Sequence, residues 1–130
     1  MEKMALYLKA LTGTLAGIAS AVFGPLNALF YGLVFCVVAD YITGICAAIY
    51  EKKLDSRTGY VGILKKVVLM TIVALSYVVG NISGMPALRD IVIGFYIANE
   101  GISILENASK MNIKYTDKLK KWLYQLQERQ

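Results

Sequence analysis

The chain has 130 residues, about one domain's length, of which 57% are hydrophobic and 18% charged, with a net charge of +5. Ordinary globular domains carry about 25% charged residues, and here the deficit is concentrated: Asp40 is the one charge between Ala10 and Tyr50, and Val67 to Leu88 has none. A soluble domain this small cannot hide such runs, so composition excludes a soluble globular protein, a disordered chain and a nucleic-acid-binding module, and points to a polytopic membrane protein.

A helix needs about 20 mostly apolar residues to cross the hydrocarbon core, and four segments approach that length. The first, residues 4–23, has seven strongly apolar residues and carries Lys9 near one end, where it can snorkel. It is the marginal one, able to span or to lie in the interface. Lys3 and Lys9 before Ala19-Ser20-Ala21 also suit a signal peptide, a reading set aside because the chain runs directly into another apolar segment. Gly24-Pro25 marks a tight turn. The second segment, residues 26–50, has eleven Leu, Ile, Val or Phe residues, contributing about −3 to −7 kcal/mol, enough to carry Asp40. Cys36 and Cys46 lie about 15 Å apart along such a helix and cannot bridge each other.

Residues 51–66 form a basic loop with Lys52, Lys53, Arg57, Lys65 and Lys66 against Glu51 and Asp55. Asp55-Ser56 is a candidate N-cap, and the apolar residues after it suit a short amphipathic helix lying in the interface. The third segment, 67–85, is uncharged and stops before Pro86; the fourth, 88–106, carries Glu100. The tail from 107 to 130 is basic and amphipathic: Tyr115, Leu119, Trp122, Leu123 and Leu126 recur at helical spacing beside Lys118, Lys120 and Lys121. It is expected to rest on anionic lipid as a basic helix. The excess of Lys and Arg places the loop, the tail and the C-terminus on the cytoplasmic side. The expected fold is thus an all-α integral membrane protein of three to four transmembrane helices, four favoured. The transmembrane domain is 1–106 and the cytoplasmic tail 107–130.

Polar residues inside the spans are the candidate functional groups. Asp40, Thr43 and Gly44 share one face of the second helix with Cys36 and Ala47. Asn99, Glu100, Ser103, Glu106 and Asn107 form a stripe on the fourth, with Glu100 the deep member and Glu106 and Asn107 near the cytoplasmic edge, within reach of Arg57, Lys65 or Lys66. These groups either fix packing within a subunit or line a pore or subunit contact. The pairs Gly13/Gly17 and Gly80/Gly84 have the spacing of close helix packing. Histidine is absent, which removes the commonest metal ligand and general base. No nucleophile–base pair or metal constellation is present, so neither an enzyme, a metal nor a cofactor is expected.

Three stretches, residues 40–44 (DYITG), 56–66 (SRTGYVGILKK) and 99–107 (NEGISILEN), together resemble the toxin-secretion/phage-lysis holin family, which includes clostridial toxin-release holins. The resemblance covers nearly the whole chain, and its motif positions are Asp40, Gly44, Gly62, Lys65, Glu100, Ser103, Glu106 and Asn107. It implies a small protein of the bacterial cytoplasmic membrane that self-associates and opens nonspecific lesions. A phage endolysin or a large toxin then crosses without being stably bound. Two other readings fit a small helical membrane protein. A proton-coupled multidrug transporter also has four short helices and a membrane carboxylate, but places the acid in its first helix. A noncatalytic membrane scaffold needs only the packing faces.

Overall fold

The computed structural model describes residues 1–129 and is all-helical, with no strand among them. Gln130, the last residue of the expected tail, lies outside the described residues. Five helices follow in order: α1 (Glu2–Phe23), α2 (Ala28–Tyr50), α3 (Ser56–Ile82), α4 (Leu88–Lys110) and α5 (Asp117–Glu128). Three of them, α1, α2 and α3, are long and apolar enough to cross a membrane. The chain is therefore that of a membrane protein.

Each turn has a local cause. α1 ends at Gly24, whose φ of 84° suits glycine and whose missing Cβ leaves room for the Tyr77 ring; a Cβ there would lie 2.7 Å from Tyr77 Cε2. α2 starts where the Asn27 side chain accepts the Phe30 amide at 3.1 Å, a side-chain N-cap. Gly84 takes a positive φ of 71° in the next turn, and Gly80 leaves space for the Met85 carbonyl oxygen, which would lie 2.7 Å from a Cβ. Of the Gly80/Gly84 pair, Gly80 lies in α3 and lets the turn and Leu88 at the start of α4 come close, while Gly84 lies in the turn itself with open space around it. Gly13 and Gly17 have open space around them.

Two boundaries differ from those read in the sequence. The basic loop and its separate interfacial helix are replaced by one continuous helix: α3 begins at Ser56, with the Asp55 side chain accepting the Thr58 amide at 2.6 Å. Lys66 consequently sits inside a helix, about 15 Å from its start. The tail helix α5 does not stand apart from the bundle. It folds back along α4, with Leu123 seated against Gly101. Glycine makes a notch there; a Cβ would come within 2.9 Å of Leu123.

α2, α3 and α4 pack into the body of the molecule, around Phe30, Leu33, Leu69, Val73 and Ile93. α4 is its central helix, touching α2, α3 and α5. It matches α2 in length but carries Arg89, Asp90, Glu100, Glu106 and Lys110, so apolarity alone gives three spans rather than the four favoured from the sequence. A helix enclosed by protein need not be apolar all round. α1 is the opposite case: none of its residues is buried, and it is held through its last turn, where the Phe23 and Phe30 rings lie 5.4 Å apart. The outer faces of α1, α2 and α3 expose Leu11, Leu15, Phe35, Ile42, Val68 and Leu75, a surface that suits lipid and not water.

Candidate functional site

The polar residues of three helices meet in the middle of the bundle. Asp40 lies midway along α2 and Glu100 midway along α4; both are buried. Lys66 of α3 reaches between them and donates to Asp40 Oδ2 and to Glu100 Oε2. One ammonium thus serves two carboxylates from two other helices, and the three groups fix the register of α2, α3 and α4. Placing Lys66 in the cytoplasmic loop is corrected by this arrangement. Hydropathy reads a lysine beside an apolar run as the water boundary, whereas two buried acids can hold it among the helices.

Asn107 completes the cluster one layer toward the α2 C-terminus. Its Nδ2 donates to Thr43 Oγ1 at 2.9 Å and lies 3.2 Å from both the Asp40 carbonyl and Asp40 Oδ1. Thr43 in turn donates to the Ala39 carbonyl at 2.8 Å. Gly44 lies beside this group, and a Cβ there would stand at an ordinary contact distance of 3.6 Å from Asn107 Nδ2. Among the described residues, no buried side-chain nitrogen or oxygen lacks a hydrogen-bond partner, so the polar core is internally closed.

The glycines of α3 have a related use. Tyr41, next to Asp40, lays its ring against Gly62, whose Cβ would be 3.3 Å from Tyr41 Cε2, and its hydroxyl donates to the Gly59 carbonyl at 3.4 Å. The three sequence stretches at 40–44, 56–66 and 99–107 therefore converge on one place.

The remaining candidates fall elsewhere. Ser103 is half-buried, while Asn99 and Glu106 are exposed, so the α4 stripe divides between the core and the surface. Asn107, expected near the cytoplasmic edge, is buried against α2. Arg57 and Lys65 are exposed on α3; Lys118, Lys120, Lys121 and Trp122 are exposed on α5. Cys36 and Cys46 are free thiols, and no cluster of metal ligands occurs among the described residues.

A second polar site lies at the opposite end of α4, and sequence patterning missed it. Arg89 is only 3% exposed. Its Nε donates to the Phe23 carbonyl at 2.9 Å and its Nη2 to the Pro25 carbonyl at 2.6 Å. The guanidinium also lies 5.8 Å from the Phe30 ring centroid and 3.1 Å from Asp90. It clasps the α1–α2 turn to α4, satisfying carbonyls that the end of α1 leaves without helical partners. Between α2 and α3, below the end of α1, an apolar groove of about 620 Å³ opens, lined by Val22, Phe23, Val38, Tyr41, Val67 and Met70 among others.

Comparison with known proteins adds a family. The model of the bacteriophage holin family matches residues 17–128. An uncharacterised protein of Listeria monocytogenes is 43% identical over 99 residues, covering 75% of this chain and 71% of its own. A 14.9 kDa protein encoded in the nagH 3' region of Clostridium perfringens is 35% identical over 130 residues, covering 97% of each chain. A probable holin of Bacillus phage phi105 is 33% identical over 93 residues, covering 71% of this chain and 68% of its own. No solved structure gives a significant match.

Proposed function

The chain belongs to the bacteriophage holin family, and from that premise we propose that it is a holin: it self-associates in the bacterial cytoplasmic membrane and opens a nonspecific pore. A phage endolysin or a large toxin crosses through the lesion without being stably bound. The connection between α4 and α5 faces the cytoplasm, where its basic residues meet the anionic lipid of that leaflet. No catalytic step is involved.

The observation that carries this reading is the ionic cluster of Asp40, Lys66 and Glu100, enclosed by helices whose outer faces are apolar. Buried charges that are paired and hydrogen-bonded can persist in hydrocarbon, and they specify which helices sit together. The subunit is then a rigid α2–α3–α4 body with α1 attached through one turn. Lipid gives little hydrophobic force between helices, so association has to come from close packing and polar contacts. α1, with Gly13 and Gly17 unobstructed, is the free packing element. Of the polar groups that could serve packing or subunit contact, Asp40, Thr43, Glu100 and Asn107 have partners within one chain, while Asn99 and Glu106 are exposed. That pairing also weighs against a proton-coupled transporter, whose working carboxylate must be free to exchange protons.

The test is inducible expression in a bacterium with a cytosolic murein hydrolase and a large cytosolic reporter protein. An abrupt release of the reporter, followed by lysis only when the hydrolase is present, supports the reading. Steady growth with an intact permeability barrier overturns it.

A further inference from the structure

We propose that α5, folded along α4, forms part of the water-facing wall of the lesion and gives it a preference for anions. The inference rests on the pore reading above and concerns which surface meets the water.

The subunit has two unlike sides. The exposed faces of α1, α2 and α3 are apolar along most of their length. The other side is formed by α5 against α4. Leu123 sits in the Gly101 notch, and Gln127 reaches a shallow groove lined by Ile72, Ile91, Val92, Phe95 and Tyr96. Gly101 and Phe95 lie about 13 Å and about 22 Å along α4 from its Lys110 end. α5 therefore runs alongside the helix to the depth of the Asp40–Lys66–Glu100 cluster and beyond. With Leu123 turned to α4, helical geometry points Lys121 and Glu128 the opposite way, and Lys118, Lys120, Lys121, Glu128 and Arg129 are all exposed.

Hydrocarbon cannot surround this arrangement. Glu128 and Arg129 lie at that depth, where charged side chains face protein or water, not lipid; Lys118, Lys120 and Lys121 line the same helix nearer the Lys110 end. The charged face of α5 turns away from α4 and is exposed, as are Asn99 and Glu106 of α4, and water is the neighbour that suits them. Leu119, Trp122 and Leu126 lie on one flank of α5 and are 47%, 53% and 40% exposed; this edge is placed to meet the next copy as the wall closes. The sign of the selectivity follows from the charges. Lys114, Lys118, Lys120, Lys121 and Arg129 outnumber Asp117 and Glu128 in this segment, so the local potential attracts anions.

The experiment reconstitutes the full chain in planar bilayers of neutral lipid and reads the reversal potential of conducting events in a KCl gradient. Wild type should reverse on the chloride side of zero. The variant K118E/K120E/K121E should reverse on the potassium side, and Gly101→Leu, which crowds Leu123 out of its notch, should bring the value toward zero. Reversal potential is read from the events themselves, so it does not depend on how often they occur. Identical reversal potentials in wild type and the triple variant overturn the proposal while leaving the pore reading standing. So does a triple variant that changes only binding to anionic vesicles, because α5 is then a helix of the lipid surface. Absence of any conductance from the wild-type chain overturns the pore reading, and this proposal with it.

Discussion

Among the described residues, half-buried Lys66 and buried Arg89 are held inside the bundle by opposite means. In the middle of the bundle, Lys66 is stabilised by full charges on two other helices, Asp40 and Glu100. At the end where α1 turns into α2, Arg89 is held mainly by the backbone carbonyls of Phe23 and Pro25. Its one carboxylate neighbour, Asp90, is 54% exposed and adds little, as exposed pairs do. The difference follows from the donors and from the place. A guanidinium presents a planar fork that can grip two carbonyls at once, and the end of α1 offers carbonyls at the negative pole of its macrodipole. Midway along a helix every carbonyl is already bonded, so an ammonium there needs carboxylates. The first site fixes which helices pair; the second fixes how α1 enters.

The sharpest way to break this contrast is to remove the cation from the middle site. Lys66→Met leaves two buried carboxylates facing each other without their counter-charge. It should cost about 3–5 kcal/mol, the usual loss when one member of a buried ionic group is deleted. Thermal unfolding in detergent micelles reads the loss. The variant K66M/D40N/E100Q should regain most of it, because neutral polar groups carry a smaller desolvation penalty. A single variant as stable as wild type would mean that the cluster does not hold the helices together.

The same contrast separates what the sequence could disclose from what it could not. Asp40 and Glu100 were visible as acids inside apolar runs, and Asp55-Ser56 as a helix start. Lys66 was visible only as a lysine, because its partners lie 26 and 34 residues away along the chain. Each window of sequence shows the cost of a charge but not the group that compensates it. α4 falls short of a span by apolarity for a related reason: Arg89, Glu100 and Asn107 are held by other parts of the bundle, and no single-segment pattern records the neighbours. Arg89 was the least legible residue. Beside Asp90 it reads as a neutral pair at the start of the fourth segment, and its true partners are backbone carbonyls, which carry no sequence signature. The place of α5 was hidden too, since an amphipathic basic helix suits lipid and protein equally well until the Gly101 notch is seen.

At the second site the expected effect is smaller and local. Arg89→Lys keeps the charge but loses the fork, so one of the two carbonyl bonds goes. Hydrogen bonds to charged groups are worth about 1.5–3 kcal/mol. Hydrogen exchange at the amides of Gly24 and Asn27 should rise, while amides beside Lys66 should stay protected. The two sites are about 16 Å apart along α4, so the losses in Arg89→Lys and Lys66→Met should add. A loss larger than the sum would show that the clasp and the ionic cluster act as one unit.

The smallest effect concerns the start of α3, whose middle is anchored by Lys66 and whose end is capped by Asp55. The Thr58 amide, donating to the Asp55 carboxylate at 2.6 Å, holds this carboxyl below its ordinary range. The sign of the pH effect follows. A folded-state value below the unfolded one means that the cap contributes fully above the unfolded value, about 4, and is lost as the pH falls through the lower folded value. Between neutral and mildly acid pH nothing should change at this end. In stronger acid, exchange of the Thr58 and Gly59 amides should accelerate relative to amides deeper in α3. Asp55→Asn should keep most of the protection and abolish its acid dependence, since an amide oxygen also caps. Asp55→Ala should lose protection at every pH. Acid fraying that persists unchanged in Asp55→Asn would assign the titration to another group and leave the cap without a part in it.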